Sequence, residues 1–225
     1  MSQQQSVQPH KDNTRLKITE VFHSLQGEAR NVGLPTVFVR LTGCPLRCTY
    51  CDTAYAFTGG EWMDIESILD EIKQYKTSRV TVTGGEPLAQ KNCIYLLKQL
   101  CDSGYDVSLE TSGAVLLDEV DARVVKIIDV KTPASGEVSK NRLENFDLLN
   151  AEDQIKFVIC DEADYLWSKQ FIVEHQLEDK CEILFSPGHE QMDAATLAGW
   201  VLRDQLNVRF QIQLHKYLWG DVPGV

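Results

Sequence analysis

The chain has 225 residues, of which 43% are hydrophobic and 24% are charged. These fractions are ordinary for a globular protein and exclude a chain that is disordered throughout. Its 33 acidic and 22 basic residues give a net charge of −11, which opposes binding to a phosphate backbone. We therefore expect a small-molecule substrate and no nucleic-acid partner. No apolar run reaches the roughly 18 residues of a membrane span, so no membrane association is expected.

The N-terminal 15 residues are polar and lack the apolar segment of a signal peptide. We interpret residues 1–15 as a disordered leader. Residues 16–225 are interpreted as a single domain, because no Pro/Gly/Ser-rich linker divides them. The chain has seven cysteines, an odd number with no secretion signal before them. This pattern disfavours disulfide bonds and predicts a reducing, cytoplasmic location.

Eight short segments have the apolar composition of β-strands. Several are apolar at nearly every position, which is typical of strands that are covered on both faces. The predicted strands are residues 16–22, 36–41, 79–83, 106–110, 124–130, 154–159, 182–185 and 208–214.

Helical periodicity occurs between many of these strands. Apolar residues spaced three and four apart predict helices around residues 65–72 and 94–101, and a third after Asp193. The alternation of strand and helix predicts a mainly parallel α/β sheet. A full eightfold barrel takes roughly 250 residues, more than this chain offers. We therefore predict an incomplete TIM-like barrel, with an open doubly wound sheet as the alternative.

Polar or glycine-containing segments follow four of the predicted strands. They begin at Thr42, Gly84, Thr111 and Lys131. The carboxyl ends of parallel strands lie at the same edge of a sheet, and this edge carries the chemistry in both candidate architectures. These four segments are therefore expected to meet in one site.

Cys44, Cys48 and Cys51 form a C-x3-C-x2-C pattern in the first of these segments. Thiolates are soft ligands that favour zinc or iron–sulfur centres. A structural zinc site needs four protein ligands, so a remote residue such as His23 or His189 would have to supply the fourth. A [4Fe–4S] cluster on three cysteines instead leaves one iron open to an external ligand. The other four cysteines are expected to be buried thiols.

The cysteine pattern resembles that of the radical S-adenosylmethionine (SAM) superfamily. In that superfamily the open iron binds SAM, and one electron from the cluster cleaves SAM to a 5′-deoxyadenosyl radical. A strand ending in Gly-Gly-Glu-Pro is a second shared feature, found here at residues 84–87. An ammonium group such as that of SAM is bound by carbonyl and carboxylate oxygens, and glycines permit close backbone approach. Taken alone, the same segment is a strand-to-turn junction with Pro at a helix start.

An ordered set of further segments resembles one family of this superfamily, the 7-carboxy-7-deazaguanine synthases. The segments begin at Ser24, Asp52, Glu110, Asp129 and Gln213, and the resemblance covers nearly all of the chain after the leader. It implies conversion of 6-carboxy-5,6,7,8-tetrahydropterin to 7-carboxy-7-deazaguanine with loss of ammonia, in 7-deazapurine and queuosine biosynthesis. It also implies a [4Fe–4S] cluster, SAM and Mg²⁺, a homodimer, and an electron donor such as a flavodoxin or ferredoxin.

The resemblance assigns site residues by their position in the motifs. The cluster would bind Cys44, Cys48 and Cys51, and Thr53 would bind Mg²⁺. The SAM site would contain Tyr50, Cys51, Asp52, Gly85, Glu86, Gly113, Asp129, Val130 and Lys131. The pterin would contact Leu25, Gln26, Gly27, Arg40 and Thr111. A guanidinium such as that of Arg40 can bind the substrate carboxylate in bidentate fashion.

Two alternative functions remain open at this point. Another radical SAM enzyme, such as a glycyl-radical activase, would share the cysteines and Gly-Gly-Glu-Pro but has no need for the segments at Ser24 and Asp52. A non-catalytic zinc-binding module would explain the cysteines alone. Single residues have structural interpretations too: Arg40 could pair with a surface acid, and Thr53 could cap a turn. His215 and Lys216 are expected at the rim of the site, with no assigned role.

Overall fold

The computed structural model describes residues 14–225. The predicted leader falls outside this range except for its last two residues. Arg15 begins the first strand, one residue before the predicted boundary at 16.

Nine strands and five α-helices are present within residues 14–225, joined in several places by short 3-10 helices. The strands are β1 (Arg15–Leu25), β2 (Pro35–Leu41), β3 (Glu61–Asp64), β4 (Arg79–Gly84), β5 (Asp106–Thr111), β6 (Val125–Val130), β7 (Gln154–Ile159), β8 (Glu182–Pro187) and β9 (Arg209–Phe210). The helices are α1 (Ile65–Ile72), α2 (Cys93–Asp102), α3 (Glu162–Glu174), α4 (Ala194–Arg203) and α5 (Leu214–Trp219). None of these helices has the length and apolar character needed to cross a bilayer.

The strands form one sheet in the order β3-β1-β2-β4-β5-β6-β7-β8-β9. β1 is antiparallel to β2 and β3, whereas the run from β2 to β9 is parallel throughout. The row begins at β3 and ends at β9 without closing on itself in the described part of the chain. The predicted single α/β domain is confirmed, and its sheet is that of an incomplete barrel.

Alternation along the strands separates the helix-packed core from the inside of the sheet. In β2, Val37 and Val39 are fully buried in the core, while Phe38 and Arg40 line a cavity on the other face. Successive side chains in a strand point to opposite faces. The helices cover the core face with the predicted stripes, such as Ile68 of α1 and the apolar side of α2. Burying one such side chain contributes about 1.5–3 kcal/mol.

Four elements differ from the sequence prediction: strand β3 and helices α3 and α5 are additional to it, and the predicted strand 208–214 is shorter. Helix α3 was not predicted, because its apolar residues are scattered around the helix rather than gathered in a stripe. Its start is instead fixed by Asp161, whose carboxylate accepts a hydrogen bond from the Asp164 amide at 2.8 Å. The predicted strand 208–214 is reduced to Arg209–Phe210. The Gln211 amide still donates to the Phe185 carbonyl of β8 at 3.0 Å, and the chain then turns away, so that the Leu214 amide donates to the Gly27 carbonyl at 2.9 Å.

The loop between β1 and β2 lies across the amino ends of distant strands. The Ala29 amide donates to Gln211 Oε1 at 2.8 Å, and the Arg30 amide donates to Gln154 Oε1 at 2.7 Å. The Arg30 side chain pairs with Glu182 at 3.1 Å. Since β7 begins at Gln154 and β8 begins at Glu182, this loop covers the amino end of the sheet. We call residues 26–34 the floor loop.

Candidate active site

The inner face of the sheet, the cysteine loop and α5 enclose one open cavity. It has about 1440 Å³ of empty space, including the part open to solvent. Among the residues assigned from the family resemblance, those that line it are Leu25, Gln26, Gly27, Arg40, Cys44, Cys48, Tyr50, Cys51, Asp52, Thr53, Gly85, Thr111, Asp129 and Lys131.

The three cysteines of the C-x3-C-x2-C pattern are free, half-buried thiols at one side of this cavity. The pKa of Cys48 is raised to about 11, mainly by burial, with Lys131 lowering it and Asp129, Cys51 and Cys44 contributing to the rise. Burial also raises the pKa of Cys44 and of Cys51. The Cys48 thiol therefore lies close enough to Cys51 and Cys44 for their charges to raise its pKa.

This thiol arrangement fits an iron–sulfur cluster better than one zinc ion. Within residues 14–225, no three His, Cys, Asp or Glu side chains are close enough to share a single metal ion. His23, one candidate fourth ligand, stacks on Tyr75 with ring centroids 5.3 Å apart. Cysteines that hold a cluster bind separate iron atoms and need not converge on one point. The other cysteines lie elsewhere: Cys93, Cys160 and Cys181 are buried as predicted, and Cys101 is half-buried.

Close backbone packing fixes the cysteine loop against the end of β4. A Cβ added to Gly85 would lie 2.0 Å from the Gly43 carbonyl oxygen, so a side chain has no room there. The Glu86 amide donates to the same carbonyl at 2.8 Å. On its other side, the Thr49 amide donates to the Ser135 carbonyl at 3.1 Å. The Gly-Gly-Glu-Pro segment therefore supports the cysteine loop directly.

Glu86 does not reach the cavity. Its fully buried carboxylate accepts hydrogen bonds from the Leu88 amide at 3.0 Å and the Thr111 hydroxyl at 2.9 Å. The Ser112 amide and hydroxyl also donate to it, at 2.7 and 2.6 Å. This carboxylate therefore holds the end of β5, and the predicted contact of Glu86 with SAM, which stays a prediction, would have to come from its backbone.

Two further residues assigned to SAM lie behind the cavity wall. Val130 is 1% exposed and belongs to the core, so its backbone alone can face a ligand. Gly113 is buried with φ +69°, and a Cβ there would lie 2.8 Å from Ile128 Cγ2. Glycine is required at this position by the left-handed backbone and by packing. Packing and backbone conformation therefore account for valine at position 130 and glycine at position 113 without a bound ligand.

The inner part of the cavity carries three charged side chains with no role assigned from the sequence, Glu28, Glu110 and Lys156, beside Asp129 of the predicted SAM site. Lys156 Nζ lies 2.6 Å from Glu28 Oε2 and 3.4 Å from Asp129 Oδ2. Burial raises the pKa of Glu110, which accepts a hydrogen bond from Gln26 at 3.3 Å. Burial would raise the pKa of Asp129 too, but the adjacent lysines outweigh it and lower that pKa. In the sequence, the feature that indicates these buried charges is Lys156, a lysine within the mostly apolar strand β7.

Arg40 forms an ion pair and lines the cavity at the same time. Its Nε donates to Glu20 Oε1 at 2.6 Å, and the two side chains are 15% and 20% exposed. Glu20 lies on β1 directly opposite Arg40 on β2. Glu20 does not line the cavity, so Arg40 pairs with a largely buried acid and not with a residue of the outer surface.

Asp52 joins the cysteine loop to α5. Gln213 Nε2 donates to Asp52 Oδ2 at 3.1 Å, and Lys216 Nζ lies 3.3 Å from the same oxygen. Burial alone would raise the pKa of Asp52, but Lys216 and these hydrogen bonds hold it well below its usual range. On the opposite wall, a Cβ on Gly27 would lie 2.0 Å from His215 Nδ1. The predicted rim position of His215 and Lys216 is confirmed, since both line the cavity.

Thr53 presents a hydroxyl oxygen beside a carboxylate at the cavity edge. It precedes the 3-10 helix Ala54–Phe57, yet its side chain makes no capping hydrogen bond. Its hydroxyl donates instead to Asp52 Oδ1 at 2.8 Å. Two hard oxygen donors with open space beside them suit Mg²⁺, which keeps several waters and takes few protein ligands. The residues present therefore fit the metal implied by the family resemblance.

Comparison with known proteins gives the family. The radical SAM superfamily model matches residues 38–130. The 7-carboxy-7-deazaguanine synthase of Chlorobaculum tepidum is 47% identical over 93% of this chain and 97% of that protein. The synthase of Koribacter versatilis is 45% identical over 93% and 100%. Among solved structures, QueE from Escherichia coli has a TM-score of 0.74 at 22% identity, covering 89% of this chain and 95% of that one, and shares the fold.

A second solved structure, SuiB from Streptococcus suis bound to S-adenosylmethionine, shares the fold more distantly. Its TM-score is 0.54 at 13% identity, covering 76% of this chain and 45% of that one. The full-length synthase relatives carry the assignment, because their similarity extends along almost the whole of both chains. The chain belongs to the 7-carboxy-7-deazaguanine synthase family of radical SAM enzymes.

Proposed function

We propose that the protein converts 6-carboxy-5,6,7,8-tetrahydropterin to 7-carboxy-7-deazaguanine with loss of ammonia. The observation that carries the proposal is the single cavity that holds three free thiols on one wall and the segment Leu25–Gly27 with Arg40 on another. A cofactor and a carboxylated heterocycle can therefore lie side by side. The alternative radical SAM activities are not favoured, because three relatives that align with 93–95% of this chain are 7-carboxy-7-deazaguanine synthases.

Membership in the radical SAM superfamily implies a [4Fe–4S] cluster and SAM. Cys44, Cys48 and Cys51 would hold the cluster. Asp129 and Lys131 lie 3.1 Å apart at the cavity wall, and this pair suits a ligand that carries both charges and hydroxyl groups. When bound, the cluster and SAM together supply a radical that can remove a hydrogen atom from the substrate.

The side chains of this chain would bind and orient the pterin. Arg40 would bind the substrate carboxylate, since a guanidinium matches a carboxylate in bidentate geometry. Gln26, Glu28 and Lys156 supply amide, carboxylate and ammonium groups toward the inner end of the cavity, where the edge of a pterin needs donors and acceptors. Thr53 would bind Mg²⁺ at the cavity edge, and the metal would orient the substrate.

The proposal extends to the setting in which the enzyme works. We propose a small acidic flavoprotein or iron–sulfur protein, such as a flavodoxin or ferredoxin, as the electron donor. We also propose a homodimer, for which the exposed Leu166 and Val173 of α3 and Leu202 of α4 offer apolar surface. Seven free cysteines support a reducing cytoplasm as the compartment. Light scattering of the purified protein tests the dimer.

Turnover under anaerobic conditions tests the reaction. The reconstituted protein is incubated with SAM, Mg²⁺, a reductant and carboxytetrahydropterin, and the products are separated by liquid chromatography. We expect 7-carboxy-7-deazaguanine in the complete mixture and none in the mixture without SAM. Cleavage of SAM without any deazaguanine product would favour another radical SAM activity. A colourless protein with stoichiometric zinc would favour the zinc module.

A further inference from the structure

The guanidinium of Arg40 is held in place by residues that have no assigned role. Glu20 lies directly across the β1–β2 ladder, so both side chains project from the same face of the sheet. Arg40 Nε donates to Glu20 Oε1 at 2.6 Å, and the Tyr55 hydroxyl donates to the same oxygen at 2.8 Å. The rings of Phe22 and Tyr55 each lie 5.8 Å from the guanidinium carbon. The guanidinium is thus fixed by one carboxylate and by two aromatic rings.

The contacts of Arg40 leave one edge of its guanidinium unused. Nε is occupied by Glu20, and NH1 has a long contact of 3.5 Å with the Gly84 carbonyl. NH2 has no recorded hydrogen bond to any residue between 14 and 225. An arginine binds a carboxylate through two adjacent N–H groups, either Nε with NH2 or NH1 with NH2. With Nε occupied, the NH1/NH2 edge is the one available to a carboxylate in the cavity.

We propose that Glu20, itself held by Tyr55, is a positioning residue that makes the pocket selective for a carboxylated substrate. This role of Glu20 rests on the proposed function, in which Arg40 binds the substrate carboxylate. Glu20 acts through Arg40: it takes the Nε–H and fixes the plane of the guanidinium, and the NH1/NH2 edge is then presented to the ligand.

Simple charge neutralisation predicts the opposite effect of removing Glu20. If Glu20 did nothing but cancel the charge of Arg40, its loss would make the pocket more positive and would strengthen binding of a carboxylate. If Glu20 orients the guanidinium, its loss frees a side chain with several rotatable bonds and weakens binding despite the more favourable charge. The sign of the change in affinity therefore separates the two roles.

The test measures the affinity of the reconstituted protein for 6-carboxypterin and for unsubstituted pterin by calorimetry. Wild type should bind the carboxylated compound more tightly. In Glu20→Ala we expect that preference to fall about ten- to hundred-fold, the equivalent of one charge-assisted hydrogen bond. Glu20→Gln keeps a carbonyl oxygen for Nε and should retain part of the preference. Tyr55→Phe, which removes the hydroxyl alone, should cause a smaller loss of the same sign.

Asp121→Ala is the matched control. Asp121 also accepts from an arginine Nε, that of Arg123 at 2.9 Å, and its side chain is also 20% exposed. It does not line the cavity, so this variant should bind both compounds as wild type does. In turnover with carboxytetrahydropterin, Glu20→Ala should raise KM by the same factor and change kcat little, while SAM affinity and iron content remain those of wild type.

Three outcomes overturn the inference. They are unchanged or tighter binding of 6-carboxypterin by Glu20→Ala, an equal loss in Asp121→Ala, and a wild type that does not distinguish the two pterins. Failure of the proposed reaction has a different signature. In that case wild type prefers 6-carboxypterin and the Glu20→Ala variant does not, but wild type makes no deazaguanine product.

Discussion

The Thr111 hydroxyl donates its hydrogen to the Glu86 carboxylate, with the oxygens 2.9 and 3.0 Å away. A hydroxyl has one hydrogen to donate, so Thr111 can offer the cavity nothing but an acceptor. Any substrate group that bonds to it must itself be a donor. Glu86, although remote from the cavity surface, thereby sets the polarity of one atom in the site.

Glu86→Gln should destabilise the protein even though the side chain keeps its shape. Four donors, from Leu88, Thr111 and two groups of Ser112, converge on the two carboxylate oxygens. The amide NH₂ of glutamine is another donor and would leave buried N–H or O–H groups unpaired, at about 1–3 kcal/mol each. Urea unfolding should show this loss. Glu178→Gln, at an exposed position, should have no such effect, and equal stability of the two variants would contradict the arrangement.

Replacing any one of Cys44, Cys48 and Cys51 with Ala should remove the cluster and keep the fold. The thiols are half-buried in a loop outside the core cluster, and the other four cysteines lie outside the cavity. We expect iron content and SAM cleavage to collapse while the circular dichroism spectrum is unchanged. Cys101→Ala, a half-buried cysteine on α2, is the control and should retain full iron. A Cys48→Ala protein with a complete cluster would disprove the ligand assignment.

Cluster loading should improve as the pH rises. Burial raises the pKa of Cys48 to about 11, and raises those of Cys44 and Cys51, so at pH 7 all three thiols carry protons that iron must displace. Below the thiol pKa, each coordinating thiol contributes up to about a tenfold gain in apparent affinity per pH unit. Competition with an iron chelator at pH 7 and pH 8.5 measures this. Equal iron retention at the two values would show that the thiols are already ionised.

Gly27→Ala should disturb α5, and removal of His215 should relieve the disturbance. A methyl group at residue 27 would lie 2.0 Å from His215 Nδ1, so the imidazole must move. Because the Leu214 amide bonds to the Gly27 carbonyl, the start of α5 should loosen as well. Hydrogen exchange in residues 214–219 should be faster in Gly27→Ala than in wild type. In a His215→Ala background, Gly27→Ala should increase hydrogen exchange in this segment much less. If the effects of the two substitutions on exchange simply add, residues 27 and 215 are not in direct contact.

Thr53→Ala should abolish the response of turnover to Mg²⁺ while leaving the iron–sulfur cluster and SAM binding intact. The hydroxyl lies beside Asp52 at the cavity edge and is the protein oxygen proposed for the metal. Thr53→Ser keeps that oxygen and should retain much of the response. Product formation is measured against Mg²⁺ concentration, with a chelator as the zero point. A wild-type response in Thr53→Ala would place the metal elsewhere.

The sequence predicts those parts of the site that depend on local patterns. Apolar runs, turn glycines and short motifs place Cys44, Gly85 and Arg40 near one edge of a sheet, and each of them lines the same cavity. The Gly-Gly-Glu-Pro motif that contains Glu86 is just as clear, but it does not show which way the carboxylate points. Whether a carboxylate faces a ligand or the neighbouring strand depends on Thr111 and Ser112, which come 25 and 26 positions later.

Residues whose roles come from pairing across the sheet could not be predicted. Glu20 matters because the strand register sets it opposite Arg40, and a shift of one residue would turn it to the other face. Lys156 meets Glu28 across 128 positions of sequence. Helix α3 buries one face that includes the polar Asp164 and Ser168, while the apolar Leu166 and Val173 are exposed, so its sequence has no apolar stripe to detect. In each case the deciding contact is distant in the chain.

The floor loop also determines when the pocket can form during folding. Its bonds to Gln154, Glu182 and Gln211 span 124, 152 and 182 positions. Contacts of such long range carry a high loop-closure entropy and form slowly. The cysteine loop needs nearer partners, since Glu86 and Ser135 lie within about 90 positions of it. A folding intermediate can therefore present its three thiols before the cavity has a base, and this order favours insertion of a bulky cluster ahead of closure.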